Sequence, residues 1–345
     1  MRKVTININS AQPGMKMAET LFNEYGGIIV SETTILDEHI IRKLKNIDIS
    51  KIRILDESEE IISASNSELF NAQYNENVEV IKEVLHDISM GKNFDMGKVD
   101  SITDSIYTRI NENRDIVGCI NEIRNVDEYT YVHSVNVSLL SMLIGKWLKL
   151  GNNKVRELVQ AGVLHDIGKS KVDATIINKT GTLTNLEFEE MKKHPIYGYR
   201  IAESMKGVSR NVCLGILMHH ERNDGSGYPV GINGSNIHEY AKIIAVADVY
   251  DAMTSNRSYK ERESPFEVFD FMENKSFGLL DPVVTNTFLS NIASYYIGDL
   301  VQLSNGLLGE IIFINSRHVS QPVIKVGDAF IDLSVNTDVK IVELI

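Results

Sequence analysis

Seven imidazole and carboxylate side chains, scattered between residues 133 and 248, restrict what this chain can fold into more than any other feature. In order they are His133, His165, Asp166, His194, His219, His220 and Asp248, and they use five of the nine histidines. Histidine and carboxylate in this proportion suit hard-to-borderline divalent ions such as iron, manganese or zinc. Ligands so far apart in sequence can serve one site only if several elements fold back on one another. Between the histidine pair and the last aspartate runs Asp224-Gly225-Ser226-Gly227-Tyr228-Pro229, a turn rich in backbone freedom. The pattern points to a metal-dependent phosphohydrolase.

Periodicity supplies the elements. Residues 1 to about 60 read as a β-rich unit, with strands at Val4 to Ile8, Ile28 to Val30 and Ile52 to Leu55. Turns are expected at Pro13-Gly14 and Gly26-Gly27, and Asp37 is placed to cap a helix through Leu44. The acidic, serine-rich stretch from Asp56 to Ser67 reads as a linker. From there to Ile292 the pattern is helical. One apolar stripe comprises Val78, Val80, Ile81, Val84, Leu85 and Ile88, and another Ile102, Ile106 and Ile110. The last fifty residues revert to short strands separated by turns, closing a small β-barrel. The fold class is therefore mainly α, a helical bundle core flanked by small β-rich N-terminal and C-terminal domains. The expected boundaries are 1–62, 63–294 and 295–345.

Tyr129 to Leu150 reads as a helix with Val132, Val135, Leu139, Met142 and Leu143 inward and His133 beside that stripe. Alone, such a histidine would read as a core residue; the later motifs make it a ligand. His165-Asp166 falls at the end of a second helix, where Gly168 permits a tight exit. Adjacent helical side chains diverge by about 100°, so this pair can approach metals from different sides, with Asp166 as the natural bridge. His194 precedes Pro195, which predicts an extended approach to a helix start. Asp248 sits in the almost wholly apolar helix Ala241 to Thr254, where an unpaired carboxylate is costly and ligation the cheaper explanation.

These residues resemble the HD-GYP family of cyclic dinucleotide phosphodiesterases, a branch of the HD superfamily. Leu164-His165-Asp166-Ile167-Gly168-Lys169 carries the HD pair and Gly227-Tyr228-Pro229 the GYP signature. His194-Pro195, Gly198, His219-His220-Glu221 and Ala247 to Ser255 match the segments around them. The resemblance covers roughly residues 65 to 290 and implies an HD-type bundle with an HD-GYP catalytic domain. It implies hydrolysis of cyclic di-GMP to pGpG, or on to GMP, by a metal-bridging hydroxide on two divalent ions. Iron or manganese is the first choice of metal, with zinc, nickel or cobalt as alternatives. Catalytic roles fall to Asp166, Lys169 and Asp251, and substrate contacts to Lys169, Tyr228, Asp251, Arg257 and Lys260. From spacing alone, Arg257 and Lys260 are equally well read as solvated charges. Tyr129 stands where some relatives carry the glutamate of a third metal site, so a two-metal site is expected. Asn223 and Ser258 also depart from the family pattern without touching a proposed ligand. Alternative readings keep the site and change the outcome: hydrolysis of a hybrid cyclic GMP-AMP, or a silent cyclic dinucleotide sensor.

Net charge of −12 argues against DNA or RNA as a partner. The phosphodiester must then be attracted locally, by metals and a few cations. No apolar run approaches the ~20 residues of a membrane span, and the start lacks a signal-peptide core. The only cysteines, Cys119 and Cys213, read as free thiols of a reducing compartment, so a cytoplasmic protein is expected. The helices before Tyr129 could form a homodimer contact or an ordinary core.

Overall fold

In a computed structural model the chain separates into two compact units, residues 1–70 and 71–345. The structure describes residues 2–22, 28–47, 49, 51–56, 58–92, 95–109, 129–179, 181–255, 263–276 and 278–345. Cys119 and the turn at Gly26-Gly27 lie outside these residues.

The first unit is built on antiparallel strands. β1 (Arg2–Asn7) pairs along its length with β5 (Lys51–Asp56), and β2 (Lys16–Met17) flanks β5 on its other side; β3 (Leu21–Phe22) pairs with β4 (Ile28–Val30). Helix α1 (Glu38–Asn46) begins as expected, with the Asp37 carboxylate accepting the Ile40 amide at 2.7 Å. Met17, Leu36, Leu44, Ile52 and Ile54 form the centre of its core. The expected linker is not one. Helix α2 runs unbroken over Ser58–Ser89, taking the acidic serine-rich stretch into its first turns.

In the second unit, α3 (Met96–Arg109), α4 (Tyr129–Trp147) and α5 (Asn152–Leu164) precede a short 3-10 turn, Ile167–Lys171. α4 is buried continuously from Val132 to Gly145, the behaviour of a central rather than a surface helix. A Cβ on Gly162 of α5 would come within 2.7 Å of the Ser138 Cα of α4. Glycine there lets the two backbones approach, and this sets His133 and His165 side by side.

Two short helices follow, α6 (Ala174–Ile177) and α7 (Asn185–Met191), then α8 (His194–Ser204) and α9 (Arg210–Met218). His194 is itself the first residue of α8, not an extended approach to it. Pro195 lies in the opening turn, where its missing N–H has no intrahelical acceptor to serve. α10 (Glu239–Thr254) is buried over most of its length. α11 (Pro265–Asp270), a π turn at Phe271–Lys275 and α12 (Pro282–Ile292) complete the bundle.

The C-terminal strands are β6 (Leu300–Leu303), β7 (Leu308–Asn315), β8 (His318–Val326), β9 (Ala329–Asp332) and β10 (Ile341–Leu344). They form one antiparallel sheet in the linear order β10-β6-β7-β8-β9. Val301, Leu303, Ile311, Ile324 and Ile341 fill its inner side. Glu273 of the π turn ties the sheet to the bundle by accepting the Val319 amide at 2.9 Å and the Ser320 hydroxyl at 2.6 Å.

One contact decides where the site forms. A Cβ on Gly168 would lie 2.0 Å from the His194 carbonyl oxygen and 2.4 Å from the Gly198 nitrogen. The turn after Asp166 can therefore rest on the first turn of α8 only as glycine, and that contact brings His194 to Asp166. Gly168→Ala is expected to cost about 3 kcal/mol, the upper end for overpacking, because backbone cannot yield as a side chain can. That should lower Tm by roughly 6 °C or more and reduce bound metal. Gly181→Ala, whose Cβ would meet nothing within 4 Å, should melt like the wild type in the same calorimetric scan.

Candidate metal centre

The seven sequence-predicted ligands converge into two adjoining groups. Asp166, His194, His219 and His220 form one, and His133, His165 and Asp248 the other; within each group the ligating atoms lie within 4.8 Å of one another. Asp166 stands between the groups. Its Oδ1 is 3.3 Å from His194 Nε2 and 3.9 Å from His219 Nε2, while its Oδ2 is 3.3 Å from His165 Nε2 and 3.8 Å from His133 Nε2. Asp248 faces both groups as well, at 3.1 Å from His133 Nε2 and 3.9 Å from His220 Nδ1.

Four of the rings are locked by the nitrogen facing away from the centre. His165 Nδ1 donates to the Gly162 carbonyl at 2.7 Å, His194 Nδ1 to Met191 at 2.8 Å and His219 Nδ1 to Ile216 at 2.7 Å. His133 Nδ1 donates to Asp251 Oδ2 at 2.7 Å. A carbonyl or carboxylate oxygen can only accept, so Nδ1 carries a proton in all four; this leaves the Nε2 lone pairs of His165, His194 and His219 toward the centre, and that of His133 once its ring is neutral. In three of the four rings the acceptor lies three residues back on the same chain, a relation that helix ends provide.

The consequence is a cluster in which acceptors outnumber donors. His194 Nε2 and His219 Nε2 face each other at 3.3 Å, lone pair to lone pair. His165 Nε2 and Asp166 Oδ1 are buried with no hydrogen-bond partner. Unmade polar contacts of this kind are expensive unless a cation occupies the centre. Two nitrogens each ~2.1 Å from one ion, at tetrahedral to octahedral angles, stand roughly 3.0–3.4 Å apart. The donor set therefore fits divalent ions.

Electrostatics agree. Burial pushes His194 down to about 4 and His219 to about 3, and His220 also well below its ordinary value, so all three present neutral rings at neutral pH. Burial opposes ionisation of Asp166, but Lys169 and His165 outweigh it and hold its carboxyl well below the usual range. Asp248 behaves likewise: burial opposes its charge, but the hydrogen bond and charge of His133, together with His220 and His165, hold it well below the usual range. Burial also opposes charge on His133, yet its bonds to Asp248 and Asp251 raise it to about 9.

The remaining candidates are placed unequally. Lys169 pairs with Asp166 Oδ2 and is partly exposed. Tyr228 lies over His220, ring centres 4.7 Å apart and planes 32° from parallel. Asp251 is fully buried; its Oδ1 accepts from Asn136 at 2.8 Å and its Oδ2 from His133. It therefore stands behind a ligand and not at an open surface where substrate would meet it, contrary to the expected substrate contact. Arg257, Lys260 and Ser258 lie outside the described residues.

Glu221 carries a role that sequence reasoning missed. It is buried, and its carboxylate collects the amides of Val230, Gly231 and Ile232 at 2.7 to 3.2 Å. It thus ties down the loop that brings Tyr228 to His220. Gly227 allows that loop to fold onto its own root, since a Cβ there would lie 2.3 Å from the Arg222 nitrogen. The position of Glu221, directly after the histidine pair, was the one available signal. Among the described residues no helix is long and apolar enough to cross a membrane, and Cys213 is buried and free.

Comparison with known proteins places this geometry. The HD domain model matches residues 118–284. The cyclic di-GMP phosphodiesterase PA4108 of Pseudomonas aeruginosa is 36% identical over 71% of this chain and 59% of its own. The 3'3'-cGAMP-specific phosphodiesterase 1 of Vibrio cholerae is 35% identical over 49% of this chain and 39% of its own. The chain spans about half the length of the curated relatives it matches. Among solved structures, Bd1817, an HDG"Y"P protein from Bdellovibrio bacteriovorus, shares the fold with a TM-score of 0.54 at 17% identity, over 83% of this chain and 98% of that one. With its His165-Asp166 pair at the junction of the two ligand groups and Gly227-Tyr228-Pro229 folded over His220, the chain belongs to the HD-GYP family of HD domain proteins.

Proposed function

We propose that this protein is a metal-dependent phosphodiesterase that opens the ring of cyclic di-GMP to give pGpG, with GMP as a further product. The observation that carries the reading is the position of Asp166, whose two oxygens face two different groups of bare histidine nitrogens. In this reading His133, His165 and Asp248 hold one ion, His194, His219 and His220 the other, and Asp166 joins both. Nitrogen and oxygen donors of this kind suit iron or manganese. Such ions would acidify water at the site and neutralise charge on a phosphoryl group. Residues 63–294 are taken as the catalytic domain.

The chain's own groups do the rest. Lys169, beside Asp166, presents a cation to a phosphate oxygen of the substrate. Asp251 holds His133 in the tautomer that ligation needs. Tyr228 packs over the histidines and excludes water from one side, and Arg257 and Lys260 are assigned to the phosphates or guanine of the ligand. A hybrid cyclic GMP-AMP is the second reading, favoured by the likeness to the Vibrio cholerae relative.

Metal-stripped protein reloaded with manganese or ferrous iron and given each cyclic dinucleotide in turn tests both readings by chromatography of the products. Faster turnover of cyclic di-GMP supports the first reading, faster turnover of cyclic GMP-AMP the second, and binding without hydrolysis of either would make the protein a sensor. Asp166→Ala should abolish turnover and weaken metal binding by more than about 100-fold, beyond the range seen when only a ligand's outer partner is lost. Full activity in that variant would remove the bridging role.

Metal binding should also be linked to a proton. Without metal His133 is charged up to about pH 9, and ligation requires it neutral. One proton should therefore be released near neutral pH for the ion at that group, and release should fade as pH rises through about 9. His194 and His219, already neutral, should release none. Calorimetric titration in buffers of different ionisation enthalpy reads the number directly; heats independent of buffer would contradict the assignment of His133.

A further inference from the structure

Helix α2 supplies no ligand, yet one of its side chains reaches the metal centre through two intermediates. Tyr74 is buried at 3% exposure and donates its hydroxyl to Asn136 Oδ1 at 2.6 Å. Asn136, fully buried on α4 one turn after His133, donates Nδ2 to Asp251 Oδ1 at 2.8 Å. Asp251 Oδ2 accepts from His133 Nδ1. The Tyr74 hydroxyl also lies 3.4 Å from the carbonyl oxygen of Val132, the residue before that ligand.

The direction of every bond in this chain follows from its end. A carboxylate only accepts, so Asn136 must turn its amide nitrogen to Asp251 and leave its oxygen to Tyr74, which must then donate. Without the hydroxyl, that oxygen would be a buried acceptor stripped of this donor. An amide in that position gains by rotating toward another partner, and rotation withdraws the bond that steadies Asp251. Asp251 in turn sets the ring plane and tautomer of His133, the role a ligand's outer carboxylate plays at metal sites.

We propose that Tyr74 is a positioning residue for the ion held by His133, His165 and Asp248, acting through Asn136 and Asp251. This inference rests on the two-ion reading of the site. It assigns to α2 a control over one ion and not the other, since His194 and His219 at the other take their orientation from backbone carbonyls within their own segments. A Tyr74 that merely fastened α2 to α4 would affect overall stability and treat both ions alike.

Manganese titrated calorimetrically into the metal-free full-length chain separates these cases. Wild type should bind two ions. Tyr74→Phe should bind one of them about fivefold more weakly, the worth of a single neutral hydrogen bond, with the other unchanged. Asp251→Asn should weaken the same ion by roughly 10- to 100-fold, and adding Tyr74→Phe to it should cause little further loss, because the two act through one chain. Tyr240→Phe removes another buried hydroxyl, bonded to Glu157 at 2.7 Å away from this chain, and should leave both ions unchanged. Should Tyr74→Phe not fold, Asn136→Ser, which breaks the middle link, is expected to give the same loss at one ion. Wild-type affinity for both ions in Tyr74→Phe, equal weakening of both, or additive losses in the double variant would overturn the inference while leaving the two-ion reading intact. Wild type binding fewer than two ions would overturn that reading and this inference with it.

Discussion

The whole site depends on hydrogen bonds made on the side of each histidine that faces away from it. Three rings donate Nδ1 to a carbonyl three residues earlier, and a fourth donates to Asp251. Each such bond is ordinary in strength. Together they orient four rings and aim the lone pairs of His165, His194 and His219 inward, with a fourth from His133 once it is neutral, where among the described residues most of them meet no donor. A folded protein tolerates so many unsatisfied acceptors when something outside the chain completes them. The carbonyls are available because His165, His194 and His219 all occur where a helix starts or stops, and there some backbone groups have no partner within the helix.

Close backbone approach is the second requirement, and glycine meets it. Gly162 lets α5 lie against α4 at Ser138, and Gly168 lets the turn after Asp166 sit on the first turn of α8. These two contacts bring together ligands separated by dozens of residues. The helices that carry His133, His165 and Asp248 are buried: α4, α5 and α10 are anchored by apolar side chains on most sides, so the few polar groups inside are held where the packing puts them.

Much of this was legible in the sequence because its signals are local. The His165-Asp166 pair next to Gly168, the vicinal His219-His220, and Asp248 within an apolar helix each break a pattern in a way that core packing does not explain. The helices and C-terminal strands followed from periodicity. The parts that were not legible depend on long-range geometry. Glu221 serves three amides in a loop whose path no local pattern predicts, and Tyr74 meets Asn136 across 62 positions of sequence. The stretch from Asp56 to Ser67 was misread because its composition resembles a linker, whereas a continuous helix needs only that each residue tolerate helical backbone and that later turns pack. His194 was expected to be extended because proline disfavours helix in the residue before it, but α8 starts at that residue and its packing against Gly168 prevails.

Charge determines the order in which such a site can be filled. The protein carries −12 overall, and Asp166 and Asp248 stay ionised, with Lys169 and a protonated His133 against them among the described residues. The bare centre therefore offers little to a cyclic dinucleotide, which is itself dianionic. Two divalent ions would reverse the sign locally while the surface stayed negative, and at physiological salt that surface field is screened beyond about 8 Å. Attraction would then be strongest within the site once the ions are in place. A surface of this charge also disfavours the approach of polyanions in general, so a local excess of positive charge at the ligands is what phosphate recognition would require.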